Sequence, residues 1–195
     1  MRNIAICIAG LAFAAGSLLA QNTSARRKAP EFAFSIPGHG QKLLSQYRGK
    51  VVALEFIFTT CPHCQAAAKL MTKFQQEYGP RGLQVIDVAV NQNADLLVDD
   101  FARDFHVNFP VGWALRDQAA SFMNFASGYF VVPQLALIDR KGYIRYQTPA
   151  TETPDWDKLM NEPSLRRHIQ DLLSQGGSAS THRGDNRVAG IRKAS

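Results

Sequence analysis

A nearly unbroken apolar run from Val51 to Phe58, interrupted only by the acid Glu55, leads straight into Thr59-Thr60-Cys61-Pro62-His63-Cys64. Few folds accept such a stretch. A strand that is apolar at successive positions is covered on both faces, as a central strand of an α/β sheet is. Pro62 suits the first position of a helix, because its missing N–H is not needed there. The stretch therefore predicts a buried strand turning directly into a helix over 62–78, with a Cys-x-x-Cys pair at the junction. Ala67, Leu70, Met71, Phe74 and Tyr78 form that helix's apolar stripe, and Gly79-Pro80 stops it.

Two cysteines three residues apart on a first helical turn stand close enough to close a disulfide ring. Cys61 falls at the helix N-terminus, where unpaired N–H groups and the macrodipole favour a thiolate. A protonated His63 beside it adds to that effect. Cys64 lies one turn in and is expected to be less accessible. The chemistry implied is thiol–disulfide exchange, with Cys61 attacking and Cys64 resolving. A structural zinc site would need two more ligands at suitable spacing. No second Cys-x-x-Cys exists, and His39, His106, His168 and His182 are scattered, so no metal is assigned. Capture of Cu(I) by the two thiolates stays open as an alternative, since soft ligands select it.

The ends of the chain read differently from its middle. Residues 1–20 resemble a secretory signal: Arg2 is basic, Ile4 to Ala20 is apolar and small, and Gly16-Ser17-Leu18-Leu19-Ala20 offers a cleavage site before Gln21. The alternative is an uncleaved anchor, for which the apolar run is somewhat short. Cys7 belongs to that run, so a cleaved chain keeps two cysteines, Cys61 and Cys64. Export would deliver them to a compartment where disulfides persist, and two adjacent cysteines alone there point to a redox-active pair more than to a structural staple. Residues 21–30 read as a linker, 31–175 as the folded domain and 176–195 as a Gly/Ser-rich, basic, disordered tail. The net charge of +6 sits at the ends: residues 31–175 hold 14 basic and 15 acidic side chains. Nucleic-acid binding therefore has no support, and a membrane enters only if the signal stays attached.

Strands and helices alternate between those ends. Phe32 to Ile36 is expected as a short strand, 42–47 as a helical turn, Leu83 to Val90 as a strand and Asn93 to Phe105 as a helix stacking Leu97, Phe101 and Phe105. A strand over 109–115 follows, then a helix capped by Asp117 and carrying Phe122, Met123 and Phe125. Gln134 to Asp139 and Tyr143 to Gln147 flank Arg140-Lys141-Gly142 as a hairpin. A final amphipathic helix over 163–175 carries Leu165, Ile169, Leu172 and Leu173. The order predicts an α/β fold with a mixed sheet flanked by helices.

Several motifs together resemble one family. Ala29-Pro30-Glu31-Phe32, Leu44-x-x-Tyr47-Arg48-Gly49-Lys50-Val51-Val52, and Val131-Val132-Pro133 followed by Leu135-Ala136-Leu137-Ile138-Asp139-Arg140-Lys141-Gly142 are similar to exported TlpA/ResA-type thioredoxins and the wider redoxin group. The resemblance spans roughly 30–147 and implies a thioredoxin fold, with a TlpA-like insertion around 91–116. It implies that Cys61 is the nucleophile, Cys64 the resolving thiol and Pro133 the cis-proline facing the sulfurs. Val132 would offer backbone hydrogen bonds to an extended substrate. Glu55 takes the place of the buried acid that exchanges a proton with Cys64, through water. Cys-Pro-His-Cys itself resembles the DsbA active site, with Pro62 and His63 tuning the pair. A histidine that stabilises the thiolate makes the disulfide more oxidising, so the direction of electron flow stays open. The implied function is exchange with exported protein thiols or disulfides, needing a redox partner protein and no cofactor. A redoxin-type peroxidase with antioxidant activity is an alternative, although Phe58 and Leu54 stand where that pattern wants Thr or Ser and Pro. A Sco-like copper-binding protein is another.

Overall fold

The computed structural model describes residues 27–126 and 128–175; the expected signal, most of the linker and the basic tail lie outside them. The chain runs through β1 (Arg27–Lys28), β2 (Ala33–Ile36), β3 (Gly40–Leu43), a 3-10 turn (Leu44–Tyr47) and β4 (Val51–Ile57). It continues through α1 (Pro62–Tyr78), β5 (Leu83–Ala89), α2 (Ala94–Asp104), β6 (Val111–Trp113) and α3 (Arg116–Met123). The hairpin β7 (Gln134–Ile138) and β8 (Tyr143–Gln147) follows, then α4 (Pro154–Met160) and α5 (Glu162–Ser174).

All eight strands form one sheet in the order β1-β8-β7-β4-β5-β6-β2-β3. β4, β5 and β6 are parallel and the other pairings antiparallel, which gives the mixed sheet of a thioredoxin fold. Every residue of β4 is buried, because layers cover both of its faces. Val51, Ala53 and Ile57 pack with α1, α2, α4 and α5. Val52, Leu54 and Phe56 pack on the other side with α3 and with Phe32, Phe34 and Leu44. Phe32, Phe56 and Phe122 meet there edge to face, at centroid distances of 5.2 to 5.8 Å.

Six sequence expectations change. Residues 42–47 are not one helical turn: β3 first pairs antiparallel with β2, and only then does the 3-10 turn begin. The reversal uses Gly38 and Gly40 at φ +70° and +69°, a conformation glycine adopts without a steric penalty. Arg27 and Lys28, within the stretch read as linker, pair with Ile144 and Tyr143 of β8. The strand expected over 109–115 is confined to Val111–Trp113. In α2 the buried line is Ala94, Val98 and Phe101, with Leu97 only half-buried, because burial follows the face turned to the sheet. α3 starts one residue before Asp117, which lies in its first turn; Leu115 is the N-cap, and its N–H donates to Gln118 Oε1 at 3.1 Å. The helix ends at Met123 with Asn124 left-handed, so Phe125 lies beyond it and meets the Phe130 ring at a tilt.

Candidate functional site

The loop between β4 and α1 is held from several sides. Thr59 N–H donates to Asn91 Oδ1 at 3.0 Å, Gln65 Nε2 to Thr59 O at 3.1 Å, and Cys61 N–H to Phe58 O at 3.1 Å. Cys61 is the N-cap of α1, with extended backbone at φ −82°, ψ 121°, and Pro62 opens the helix. Both thiols are free; Cys61 is half-buried and Cys64 fully buried. Burial pushes the Cys64 thiol well above its ordinary range, opposed by the Phe58 N–H that donates to Cys64 Sγ at 3.4 Å. Cys61 and Glu55 add smaller upward contributions.

The Val132–Pro133 peptide is cis, and its loop faces the first sulfur: the Cys61 thiol donates to Val132 O at 3.9 Å. Gln134, fully buried at the start of β7, anchors this loop. Its Nε2 donates to Val131 O at 2.9 Å and to Pro149 O at 3.1 Å, while Thr148 Oγ1 donates to its Oε1. Arg116 supports the same loop, donating to Phe130 O at 2.7 Å with its guanidinium over the Phe58 and Phe130 rings.

Glu55 lies beneath the dithiol on the α1 side of the sheet. It is fully buried, and in the parallel register it stands beside Asp87 of β5, also fully buried. Neither carboxyl receives a hydrogen bond from a donor group among the described residues. The contact between them is a carboxyl-to-carboxyl one, which makes a hydrogen bond only when a proton lies between two acceptors. Burial, then the facing Asp87, holds Glu55 well above the ordinary carboxylate range. Burial pushes Asp87 up to about 7, partly offset by Glu55.

A groove of about 420 Å³ is lined by Glu55, His63 and Pro133 together with Leu70, Trp156 and Met160. Pro62 and His63 are exposed at the helix mouth, Val132 is half-buried and Pro133 buried. All seven residues singled out in the sequence thus gather around one end of β4. His39, His106 and His168 do not join them: among the described residues no three His, Cys, Asp or Glu side chains form a group able to hold a metal ion.

Three neighbours were not anticipated. Trp156 sits on α4, which sequence reading passed over although Thr153 as N-cap, Pro154 at the first position and Asp155 in the first turn signal a helix start. Gln134 had no signal beyond its place after the proline. Asp87 had one: an acid inside the apolar run 83–90.

Residues 24–166 match the Redoxin family. The thiol-disulfide oxidoreductase ResA of Geobacillus kaustophilus (strain HTA426) is 28% identical over 145 residues, spanning 74% of this chain and 75% of that protein. Protein DipZ of Mycobacterium bovis (strain ATCC BAA-935 / AF2122/97) is 31% identical over 154 residues, spanning 74% of this chain but 21% of that longer protein. A crystal structure of a thiol:disulfide interchange protein of the thioredoxin family from Chlorobium tepidum TLS superposes with a TM-score of 0.61. At 19% identity over 76% of this chain and 97% of that one, it speaks for the fold. The family match covers most of the chain, Cys-x-x-Cys helix and cis-proline loop included, and the chain belongs to the redoxin family.

Proposed function

We propose that this chain is an exported thiol–disulfide oxidoreductase that exchanges disulfides with protein thiols through Cys61 and Cys64. The observation that carries the reading is the asymmetry of the two sulfurs: Cys61 is half-buried at a helix N-terminus opposite Val132 O, and Cys64 is sealed behind it. In the forward direction Cys61 attacks a substrate disulfide, and the substrate's first sulfur leaves as a thiolate. Cys64 then attacks Cys61 Sγ, releasing the second substrate sulfur and closing the Cys61–Cys64 disulfide. Pro133 closes the site opposite the sulfurs, Val132 lies within backbone reach of an extended segment, and Pro62 and His63 shape the helix mouth. The groove toward Trp156 continues from this point and suits the rest of a polypeptide. Glu55, under the pair, exchanges the proton of Cys64.

The names of the ResA relatives support the activity. Export rests on the basic and apolar residues 1–20 and on a cysteine complement reduced to one redox pair. A redox partner protein resets the dithiol, and no cofactor is needed. No helix among the described residues is long and apolar enough to cross a membrane.

The test is a pair of substitutions assayed by disulfide exchange with a reduced or oxidised protein substrate. Cys61→Ser is expected to abolish exchange, and Cys64→Ser to accumulate a mixed disulfide between Cys61 and the substrate. Wild-type activity in Cys61→Ser removes the mechanism. Equilibrating the wild-type pair against glutathione then separates an oxidant from a reductant.

A further inference from the structure

The mechanism above uses one buried acid, while the fold provides two. Glu55 and Asp87 occupy adjacent parallel strands in direct register, both with 0% exposure, and none of their four carboxyl oxygens has a hydrogen-bond donor group among the described residues. Two buried carboxylates without donors cannot both stay ionised, since each lacks compensation and each repels the other. One proton between them turns repulsion into a hydrogen bond. Such a pair titrates as a unit.

We propose that Asp87 and Glu55 form one proton-holding pair beneath the dithiol, Asp87 taking through Glu55 the proton that Cys64 gives up when it attacks the mixed disulfide. This rests on the oxidoreductase reading and names a second residue for it. Asp87 acts through Glu55 and is a positioning residue.

The step balances. At rest the pair holds one proton, Glu55 donating to the Asp87 carboxylate. The Cys64 proton passes to Glu55 as the Glu55 proton passes to Asp87, leaving a neutral diacid, a form that burial tolerates. Cys64 sulfur bonds to Cys61 Sγ, and the bond from Cys61 to the substrate sulfur breaks. That sulfur leaves with the electron pair and takes a proton from solvent. The substrate disulfide is thereby reduced by two electrons and the dithiol oxidised; in the reverse direction the pair returns its proton to Cys64.

Few other charges face the pair. From α1 come Cys64 and, at the helix mouth, Cys61 and His63; from α4, Asp157 borders the groove that Glu55 lines. α2 turns Ala94, Val98 and Phe101 inward and keeps Asp95, Asp99, Asp100 and Asp104 exposed, and β6 sets Val111 beside Asp87. α5 contributes Leu165 and Ile169 to this face.

The test loads Cys61 with a coloured aromatic thiol as a mixed disulfide and follows its release by Cys64 across pH. It compares wild type, Asp87→Asn, Glu55→Gln and the double variant, each checked by thermal unfolding. Infrared titration of the carboxyl C=O band runs alongside. Each single substitution is expected to slow release at least about tenfold, with the double variant no slower than the singles, as for residues acting as a unit. The wild-type band is expected to persist above pH 8, and in Asp87→Asn the last carboxyl is expected to ionise at least about one pH unit lower. A wild-type protein without that band above pH 8 overturns the proposal, whatever the variants do. An unchanged pH–rate profile in Asp87→Asn with slow release in Glu55→Gln overturns the pair alone. Unchanged profiles in both variants overturn the role of Glu55 as well, while the Cys61 and Cys64 substitutions separately test the exchange reading.

Discussion

Burying two acids side by side has a cost in stability, and Asp87→Asn should reveal it. The substituted amide is nearly isosteric, carries no charge and can donate a hydrogen bond to Glu55. In the folded protein burial raises Asp87 from its ordinary 3.8 to about 7. A carboxyl raised on folding stabilises most below its unfolded value, where both states are protonated. As pH climbs, the unfolded chain releases its proton first and the folded state loses ground until the folded value is reached. Each pH unit in that window is worth ~1.4 kcal/mol, which sets a limit of about 4–5 kcal/mol for Asp87 alone. Glu55 is raised in the same direction, so relieving it adds with the same sign. Asp87→Asn is therefore expected to match wild type at pH 3.5 and to exceed it by about 2–4 kcal/mol at pH 8. Urea unfolding of the reduced proteins at several pH values reads this directly. Parallel pH profiles for the two proteins, or a variant less stable than wild type at pH 8, would refute the reasoning.

Two further substitutions probe the frame and the groove. Gln134→Ala removes three hydrogen bonds that the buried Gln134 side chain makes around the cis-proline loop and is expected to cost about 1–3 kcal/mol by urea unfolding, with a loss of exchange activity beside it. Trp156→Ala shortens the groove without touching the sulfurs; a raised KM for a protein disulfide is expected, with unchanged turnover of a small aromatic disulfide.

Much of the fold was legible because its signals are local. The apolar continuity of β4, the proline after Cys61 and the Arg140-Lys141-Gly142 turn each act within a few residues, and the sheet assembled accordingly. Glu55 was readable because an acid inside an apolar strand has no local explanation. Asp87 posed the same question in β5, yet its meaning lies in strand register, which pairs Glu55 with Asp87 and leaves no trace in either segment alone. The β2–β3 hairpin was missed because Lys42 to Tyr47 also suits a helical turn, and pairing with β2 decided the matter for its first residues. In α2 the phase slipped because Leu96 and Leu97 are apolar but turned away, Leu96 being 73% exposed, while small Ala94 faces the sheet.

The outer rims of the sheet bear on how the protein avoids pairing edge to edge with other chains. One rim is a two-residue Arg-Lys strand and the other is Gly40–Leu43, brief and bearing Lys42. Cationic stubs of this kind are poor templates for zipping on a foreign strand. Under the proposed oxidoreductase reading, neither rim then competes, among the described residues, with the cis-proline loop for an extended protein substrate.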